Sequence, residues 1–437
     1  MRTAGRGSGD RAPRRSDVPP PPPAIRMPVR IGPDGRRLVD AAGNPVLVQG
    51  DAAWSLIVNT TLEGAIHYLD ERRALGFNTV MINLIEHLFA SDPPRNLAGD
   101  EPFERPGDLR TPNEAYFTHA ERVLDAAAAR GFLVILAPTY LGYPSPQYPG
   151  YGGRAEGWYD EIVAAGVDGC RVWGEYLGRR FGRFDNLIWC IGGDCNPGEA
   201  RSCLDAVANA LRDAGCRGLF TAHVLPECSP VDVYPGADWL DLNLTYTYGI
   251  VHRALLADWR RSPIWPYLLV ESTYEGEHDS SELQIRRQAW WSVLCGGDGH
   301  VMGNKPMWMF GAGWEHELRS PGALALSRWG AFLRAMPWWD LEPDLDRRFA
   351  TAGLGEARGL DRVTAAVTRD ARLGVAYLPV RRPVTIDLSR LAGTTRVVEW
   401  FEPATGRRVV GEPVVDEPVV TFRPPFREDS VLTIRSA

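Results

Sequence analysis

Two short apolar segments of this chain each end in a carboxylate. One is the run Leu-Ile-Trp-Cys-Ile-Gly-Gly-Asp from Leu187 to Asp194, and the other is Pro-Tyr-Leu-Leu-Val-Glu from Pro266 to Glu271. Near-continuous apolar runs of this length are typical of strands in a parallel sheet, which is covered on both faces. In a β/α barrel the active site lies at the C-terminal ends of the strands, so we expect both carboxylates to lie in one cleft.

Hydrolysis of a glycosidic bond requires two carboxyl groups, and two strands of this chain supply one each. In a retaining mechanism one carboxylic acid protonates the leaving oxygen and the other carboxylate attacks the anomeric carbon, with roughly 5–5.5 Å between the groups, whereas about 6.5–9.5 Å indicates inversion. We assign Asp194 as the acid/base and Glu271 as the nucleophile. Two alternatives stay open: Asp194 precedes a predicted helix that it would cap, and Glu275 competes with Glu271 for the nucleophilic role.

Other polar and aromatic residues follow the predicted strands and are candidates for binding the substrate. Aromatic rings stack on sugar rings, and tyrosine, histidine and asparagine side chains hydrogen-bond hydroxyl groups. At each of these positions an ordinary role in packing, capping or core hydrogen bonding is an open alternative. The candidates are Asp51, Trp54, His223, Asn243, Tyr246, Tyr248, Tyr274, Glu275 and Trp308.

The motifs of several other classes of site are missing from the sequence. It contains no HxH, HExxH or clustered Cys/His pattern that would indicate a catalytic metal, and no GxSxG nucleophile elbow. We therefore expect neither a metal nor a cofactor. The seven cysteines show no paired spacing, which predicts reduced thiols, most of them buried.

Composition limits the partners of the chain. The 437 residues carry a net charge of −7, which argues against a nucleic-acid partner, and the longest apolar runs are shorter than a membrane span. Residues 1–28 hold six Arg, two Asp and a proline run but no apolar core of a signal peptide, so we predict a disordered tail and a cytoplasmic location. The oligomeric state is left open.

Strand-like and helical patterns alternate through most of the remaining chain. Eight such units predict a (β/α)8 TIM barrel over residues 29–342, preceded by short β segments. A doubly wound open sheet is the competing topology, although no glycine-rich nucleotide fingerprint supports it. One of the eight predicted strands, Trp239–Leu242, would deliver Asn243 to the site. Short β segments after residue 343 predict a small antiparallel β-sandwich over 343–437, which we expect to pack on the barrel rather than to bind glycan.

Several motifs, taken in order, resemble those of the apiosidase-like glycoside hydrolases, family 140. The carboxylate strand Ile188–Asp194 is similar to the family's Trp-x-x-Gly-Gly-Asp segment, and Glu271 with Tyr274-Glu275 resembles its Glu-Pro-x-Tyr-Glu segment. The other matching segments are Gly50–Leu56, Gly76–Thr79, Ala289–Val293, Gly299-His300 and, in the C-terminal module, Trp400–Gly406.

The resemblance implies a barrel with a β-sandwich and retaining exo-hydrolysis without a cofactor, with Asp194 as acid/base and Glu271 as nucleophile. It also implies release of apiose from a pectic side chain. The chain departs from the family pattern at Ser272, at Thr221-Ala222-His223 and in the loops Tyr140–Tyr159 and Thr245–Gly249. The catalytic pair therefore carries over better than the sugar specificity.

The leading hypothesis is a glycosidase that acts on a plant-type oligosaccharide and releases an apiose-like sugar or another pentose or deoxysugar. A carbohydrate-binding barrel without turnover is the main alternative, because a fold alone does not fix the activity of its site. A barrel isomerase or lyase that uses the same carboxylates as proton shuttles is the third hypothesis.

Overall fold

A computed structural model of the chain describes residues 18–143 and 157–437. Most of the predicted tail and the middle of the long loop after residue 139 lie outside the described residues. Eight buried strands form the central sheet, each four to six residues long. They are β1 (Val48–Ala52), β2 (Thr79–Asn83), β3 (Leu133–Ala137), β4 (Leu187–Gly192), β5 (Phe220–His223), β6 (Asn243–Tyr246), β7 (Tyr267–Glu271) and β8 (Gly299–Met302).

All neighbouring strands of this sheet run parallel, in the order β5-β4-β3-β2-β1-β8-β7-β6. Strands β5 and β6 meet at a seam where Leu242 N–H donates to Phe220 O at 3.1 Å and Thr221 Oγ1 donates to Leu242 O at 2.7 Å. The sheet is thus a nearly closed barrel, which confirms the predicted fold and excludes the open doubly wound sheet.

A helix follows each strand, as the alternating pattern predicted. The helices are α1 (Leu62–Ala74), α2 (Glu114–Ala129), α3 (Tyr159–Phe181), α4 (Arg201–Asp213), the single turn α5 (Pro230–Val233), α6 (Val251–Trp259), α7 (Glu282–Leu294) and α8 (Pro321–Arg334). Their apolar faces pack on the outside of the sheet in one large core, while a second core fills the inside of the barrel. A side chain on a strand therefore faces either the helices or the barrel interior.

The N-terminal ends of the strands are covered by the segment that precedes them. A short antiparallel hairpin pairs Arg30–Ile31 with Leu38–Val39. Ile25 and Met27 pack against the inner barrel core, and Pro22 O accepts a hydrogen bond of 2.6 Å from the Arg73 side chain. Residues 18–28 thus differ from the predicted disordered tail, because the apolar end of the barrel gives them a surface to cover.

The C-terminal module is an antiparallel β-sandwich, as predicted. The strands are β9 (Leu341–Pro343), β10 (Ala350–Ala352), β11 (Thr364–Thr368), β12 (Leu373–Leu378), β13 (Val384–Asp387), β14 (Thr395–Phe401), β15 (Arg408–Val410), β16 (Val414–Val415), β17 (Val419–Phe422) and β18 (Ser430–Ser436). The first strand begins at Leu341, close to the predicted boundary at residue 343. The larger sheet has the order β9-β11-β12-β18-β14-β15 with β16 also paired to β14, and the smaller sheet has the order β10-β13-β17.

The larger sheet packs on helices α7 and α8 of the barrel. The Trp290 ring stacks on Tyr377 with 5.9 Å between centroids, and Phe332 meets Phe401 at 4.3 Å. Beside these rings, Arg286 on α7 forms an ion pair of 2.9 Å with Asp429, and both side chains are buried. The two modules therefore share a continuous apolar interface with a neutralised charge pair within it. No helix in the described ranges is both long and apolar enough to cross a membrane.

Candidate active site

The two predicted catalytic carboxylates lie in one cleft at the C-terminal ends of the strands. Glu271 is the last residue of β7, and Asp194 follows the end of β4 by two residues. The cleft has a volume of about 520 Å³ and is lined by both carboxylates. One oxygen of each carboxylate and a ring nitrogen of His223 all lie within 4.8 Å of one another. These are the groups and the spacing that acid/base and nucleophilic catalysis require.

The backbone that carries Asp194 is held in an unusual conformation. Gly192, Gly193 and Asp194 have φ angles of +80°, +157° and +46°. A Cβ at Gly193 would overlap the Tyr140 ring, so a glycine is needed there for close packing. A non-glycine residue with positive φ is strained, and such strain is concentrated at functional sites. Asp194 caps no helix: the helical turn that follows begins after Pro197 without a side-chain cap, which removes the capping alternative.

His223, at the end of β5, connects the two carboxylates. Its Nδ1 accepts a hydrogen bond of 3.1 Å from the Asp194 backbone N–H and lies 3.4 Å from Asp194 Oδ1. Its Nε2 lies 3.1 Å from Glu271 Oε2. Because Nδ1 is an acceptor, the proton of the neutral ring is on Nε2 and is donated to Glu271. One buried ring therefore fixes the nucleophile candidate and the backbone of the acid/base candidate together.

The electrostatics of the cleft couple these three groups. Burial raises the pKa of Glu271 above its ordinary value, the hydrogen bond from His223 opposes the rise, and the negative charge of Asp194 adds to it. Burial lowers the pKa of His223, but the hydrogen bond to Glu271 and the charges of both carboxylates outweigh it, so this pKa is raised. The Glu271 carboxyl group and the His223 imidazole therefore titrate as an interacting pair.

Aromatic side chains form most of the wall of the cleft. Tyr248 donates a hydrogen bond of 3.1 Å to Glu271 Oε1, and Trp54 Nε1 donates to the Tyr274 hydroxyl at 2.9 Å. Tyr246 packs on the His223 ring with centroids 4.7 Å apart. Such walls combine apolar faces for sugar rings with hydroxyl groups that fix orientation. The aromatic lining residues are Trp54, Phe89, Tyr140, Tyr143, Tyr246, Tyr248, Tyr274 and Trp308.

The structure places three of the predicted binding residues away from the cleft: Asp51, Asn243 and Glu275. Asp51 faces the helices, where its carboxylate accepts hydrogen bonds of 2.6 Å from both Tyr68 and Arg72 of α1. Asn243 is the first residue of β6 and accepts a hydrogen bond of 2.7 Å from Ser229. The observed strand β6 directly follows the predicted strand Trp239–Leu242 instead of coinciding with it. Tyr246 rather than Asn243 therefore lies at the C-terminal end of the strand.

Glu275, the rival nucleophile, also lies outside the cleft. Its carboxylate accepts hydrogen bonds from Ser320 Oγ at 2.6 Å, from the Gly322 backbone N–H at 2.7 Å and from Asn304 Nδ2 at 3.0 Å. Two of these donors belong to the start of α8, where the helix dipole favours a negative charge. Glu275 thus anchors the N-terminus of α8, and Glu271 alone of the two faces Asp194.

Several cleft residues were not predicted from the sequence. Tyr140, which donates a hydrogen bond of 2.8 Å to Asp194 Oδ2, is the most important. It lies in the loop after β3, and a tyrosine that directly follows a Pro-Thr pair carries no distinctive signal. The sequence indicated it only by position, because Tyr140 lies three residues after Ala137, where the apolar strand ends. The other unpredicted lining residues are Asn83, Phe89, Tyr143, Thr273, Glu277 and His278.

Asp194, His223 and Glu271 also form the group of possible metal ligands found among the described residues. The hydrogen bonds of His223 do not suit that role, however. Neutral imidazole offers one lone pair, and here the Asp194 backbone N–H occupies it while the opposite nitrogen donates to Glu271. The donor set fits a proton-sharing carboxylate pair better than a metal site.

A β/α barrel with paired carboxylates at its strand ends is the architecture of many glycoside hydrolases, and comparison with known families assigns the chain to that class. Residues 32–340 match the family model "Apiosidase-like, catalytic domain". The chain therefore belongs to the apiosidase-like family and is a glycosidase, which confirms the resemblance seen in its motifs. Residues 354–435 match the model "Putative collagen-binding domain of a collagenase". A search of curated proteins found no match.

Solved structures show the same fold. A structure described as "Glycoside hydrolase" is 20% identical with a TM-score of 0.80 and covers 94% of this chain and 97% of its own. A family 5 glycoside hydrolase from Bacteroides vulgatus ATCC 8482 is 21% identical with a TM-score of 0.80, covering 93% of each chain. A family 5 mannosidase from Rhizomucor miehei is 12% identical with a TM-score of 0.51, covering 71% of this chain and 98% of its own.

Proposed function

We propose that the protein is a retaining, exo-acting glycosidase that releases a terminal apiose-like sugar, or another pentose or deoxysugar, from plant-type oligosaccharides. The observation that carries this proposal is the short separation of the cleft carboxylates, whose nearest oxygens lie within 4.8 Å. Retaining enzymes keep their carboxyl groups roughly 5–5.5 Å apart, and inverting enzymes leave room for a water molecule between them.

The hydrogen bonds favour Glu271 as the nucleophile. His223 Nε2 and the Tyr248 hydroxyl each donate to one of its oxygens, and donors of this kind stabilise the ionised form. Asp194 instead has one oxygen bonded to the Tyr140 hydroxyl and the other buried without a hydrogen-bond partner in the described residues. Asp194 thus has fewer side-chain donors than Glu271, and we assign it the acid/base role.

The two steps follow from these roles. In the first step Glu271 attacks the anomeric carbon while protonated Asp194 gives its proton to the glycosidic oxygen, and the bond to the leaving group breaks. In the second step ionised Asp194 takes a proton from water, the water oxygen attacks the anomeric carbon, and Glu271 is released. Asp194 thus alternates between acid and base, and the configuration of the sugar is inverted twice.

The size of the cleft supports action on a chain end. About 520 Å³ lies within the range of 300–1,000 Å³ that is usual for small-molecule sites. Trp54, Tyr274 and Trp308 line this cleft and supply aromatic surface for a sugar ring. The sugar named in the proposal follows from the family resemblance.

The first test is product analysis. We would incubate wild type and the Glu271→Gln variant with a panel of pectic and hemicellulosic plant oligosaccharides and separate the released sugars by chromatography. One monosaccharide released by wild type alone supports an exo-glycosidase and names its sugar. Release by both proteins would contradict the role of Glu271, and binding without release by either would favour the carbohydrate-binding alternative. Proton NMR of the first anomer formed then distinguishes retention from inversion.

Azide separates the two carboxylate roles. With an activated aryl glycoside, azide should restore turnover to Glu271→Ala and yield a glycosyl azide of inverted configuration, because it occupies the space of the lost nucleophile. With Asp194→Ala, azide should yield the retained configuration, because it attacks the glycosyl-enzyme in place of activated water. The opposite pair of products would exchange the two assignments. Asp194→Ala should also slow substrates with poor leaving groups far more than aryl glycosides.

A further inference from the structure

A second cavity of about 380 Å³ lies at the junction of the two modules, and it shares no lining residue with the catalytic cleft. One wall comes from helices α6 and α7 of the barrel, and the other from residues 343–365 at the start of the sandwich. Junctions between modules are preferred locations of ligand sites. The feature that distinguishes this cavity is the charge of its lining.

Five arginines line the cavity, and none of them forms an ion pair with any residue that the structure describes. Arg253 lies on α6 and Arg260 directly follows it, whereas Arg347, Arg358 and Arg362 come from the sandwich side. Nearby arginines outside the cavity do have partners: Arg261 binds Asp232 and Asp258, Arg369 binds Asp340, and Arg382 binds Asp361.

The single carboxylate in the lining does not neutralise this charge. Both Asp344 oxygens accept backbone N–H groups of the turn that follows, from Arg348 at 2.8 Å and from Ala350 at 2.8 Å. Arg362 is only partly exposed, and its hydrogen bonds go to the carbonyls of Leu354 and Gly355 at 3.5 and 3.4 Å. On a chain of net charge −7, five guanidinium groups against one occupied carboxylate form a local positive region.

His252 adds a polar group to the same wall. The residue is 2% exposed, its Nε2 lies 3.3 Å from Ala357 O, and its Nδ1 has no hydrogen-bond partner among the described residues. Since Nε2 bonds a carbonyl oxygen, it carries the proton of the neutral ring, and Nδ1 is left as an acceptor. His252 thus borders the cavity as a buried ring that is held by the Ala357 carbonyl.

We propose that this junction cavity binds a small organic molecule through its phosphate group. Guanidinium groups match the geometry and charge of phosphate, and several of them around one cavity favour a doubly charged group over a single carboxylate. The cavity is larger than a phosphate ion requires, which leaves space for an organic part beside His252. This proposal does not depend on the sugar that the catalytic cleft binds.

Isothermal titration calorimetry at constant ionic strength tests the proposal with matched probes. We would titrate the full chain with glycerol 3-phosphate, inorganic phosphate, glycerate and glycerol. We expect saturable binding of glycerol 3-phosphate, and at least tenfold weaker binding of glycerate and glycerol. Equal affinities for inorganic phosphate and the ester would identify free phosphate as the ligand, whereas tighter binding of the ester would show that the organic part contributes. Equal binding of glycerate, or no saturable binding of any phosphate, would overturn the proposal.

Arginine variants locate the binding. The double variant Arg347→Gln/Arg362→Gln should weaken glycerol 3-phosphate binding at least tenfold, whereas Arg390→Gln, an exposed arginine outside the cavity, should leave it unchanged. Circular dichroism and glycoside hydrolysis would establish that each variant is folded. If the double variant does not fold, the exposed Arg358→Gln replaces it. Binding that survives in a folded variant of the cavity arginines would contradict the assignment.

Discussion

The carboxylates of the cleft differ in their partners from the buried carboxylates that pair with arginines. Outside the cleft, Asp51 pairs with Arg72 at 2.6 Å, and at the module interface Asp429 pairs with Arg286 at 2.9 Å. In the cleft, Asp194 and Glu271 contact tyrosine hydroxyls and a single imidazole, and neither has an arginine or lysine partner within the described residues.

This difference explains which carboxylates are able to do chemistry. A carboxylate that is held by a guanidinium has a fixed partner and orientation, so its contribution is structural. Glu271 instead lies beside another carboxylate, and burial and the negative charge of Asp194 raise its pKa. The carboxylates that pair with arginines are therefore fixed in place, whereas the carboxylates at the proposed site of cleavage have no cationic partner of this kind.

The largest expected effect comes from the nucleophile candidate. Glu271→Gln should lower kcat by about 10⁴-fold or more, because no neighbouring group can replace the attacking oxygen. Glu275→Gln is the matched control: it is four residues away and also buried, but it serves the start of α8. We expect this control to keep its activity and to lose about 1–3 kcal/mol of unfolding free energy. Steady-state kinetics and urea unfolding check both, and a reversed pattern would make Glu275 the nucleophile.

The second effect is on stability rather than activity. Arg286→Leu should lower the unfolding free energy by about 3–5 kcal/mol, since it leaves Asp429 buried without its cation at the module interface. The residual activity of the folded fraction should be unchanged. Arg171→Leu, whose pair with Glu175 lies exposed on the surface of α3, is the control and should cost about 1 kcal/mol or less. Similar losses for the two variants would mean that the stabilisation from an ion pair does not depend on its burial.

The third prediction concerns His223, which we expect to act as a positioning residue. His223→Ala removes both the donor to Glu271 and the acceptor for the Asp194 backbone, so kcat should fall by about 10–100-fold with a smaller change in KM. It should also raise the pKa of Glu271, whose ionised form the hydrogen bond from His223 favours. The acid limb of the kcat profile would then move to higher pH. A loss of activity without that movement would indicate a purely structural role.

The sequence predicted the barrel, the sandwich and the two cleft carboxylates, because apolar strands that end in a carboxylate leave a strong local signal. It could not tell which side of a strand faces the cleft. In β1 both faces are buried, so the alternation that separates Asp51 from its neighbours is hidden. The position of β6 was misjudged because Trp239–Leu242 is more apolar than the true strand Asn243–Tyr246.

Contacts made by loops were beyond sequence reasoning for a different reason. Tyr140 reaches Asp194 only because Gly193 lets the ring pass close to the backbone, and that meeting joins residues 54 positions apart. Glu275 bonds the start of α8, 45 to 47 positions away. No local pattern encodes such pairs, so the distinction between Glu271 and Glu275 required the folded chain.

The smallest expected effect is a shift in the pH profile of kcat/KM, measured on an aryl glycoside that needs no acid. Burial raises the pKa of Glu271, so the acid limb of the wild-type profile should lie above the ordinary range of a glutamate. Tyr248→Phe should move it to higher pH, because the ionised carboxylate loses a donor.

Stability should follow the same titration with a definite sign. Because the pKa of Glu271 is raised in the folded state, this group stabilises the fold below the ordinary glutamate pKa of about 4.3, and that stabilisation is lost as the pH rises through the raised value. Glu271→Gln should therefore gain stability relative to wild type as the pH increases through this window, as urea unfolding at several pH values would show. For Asp51→Asn we expect lower stability than wild type at neutral pH, because Arg72 loses its partner. A pH-independent difference in stability for Glu271→Gln would mean that the pKa of Glu271 is the same in the folded and unfolded states.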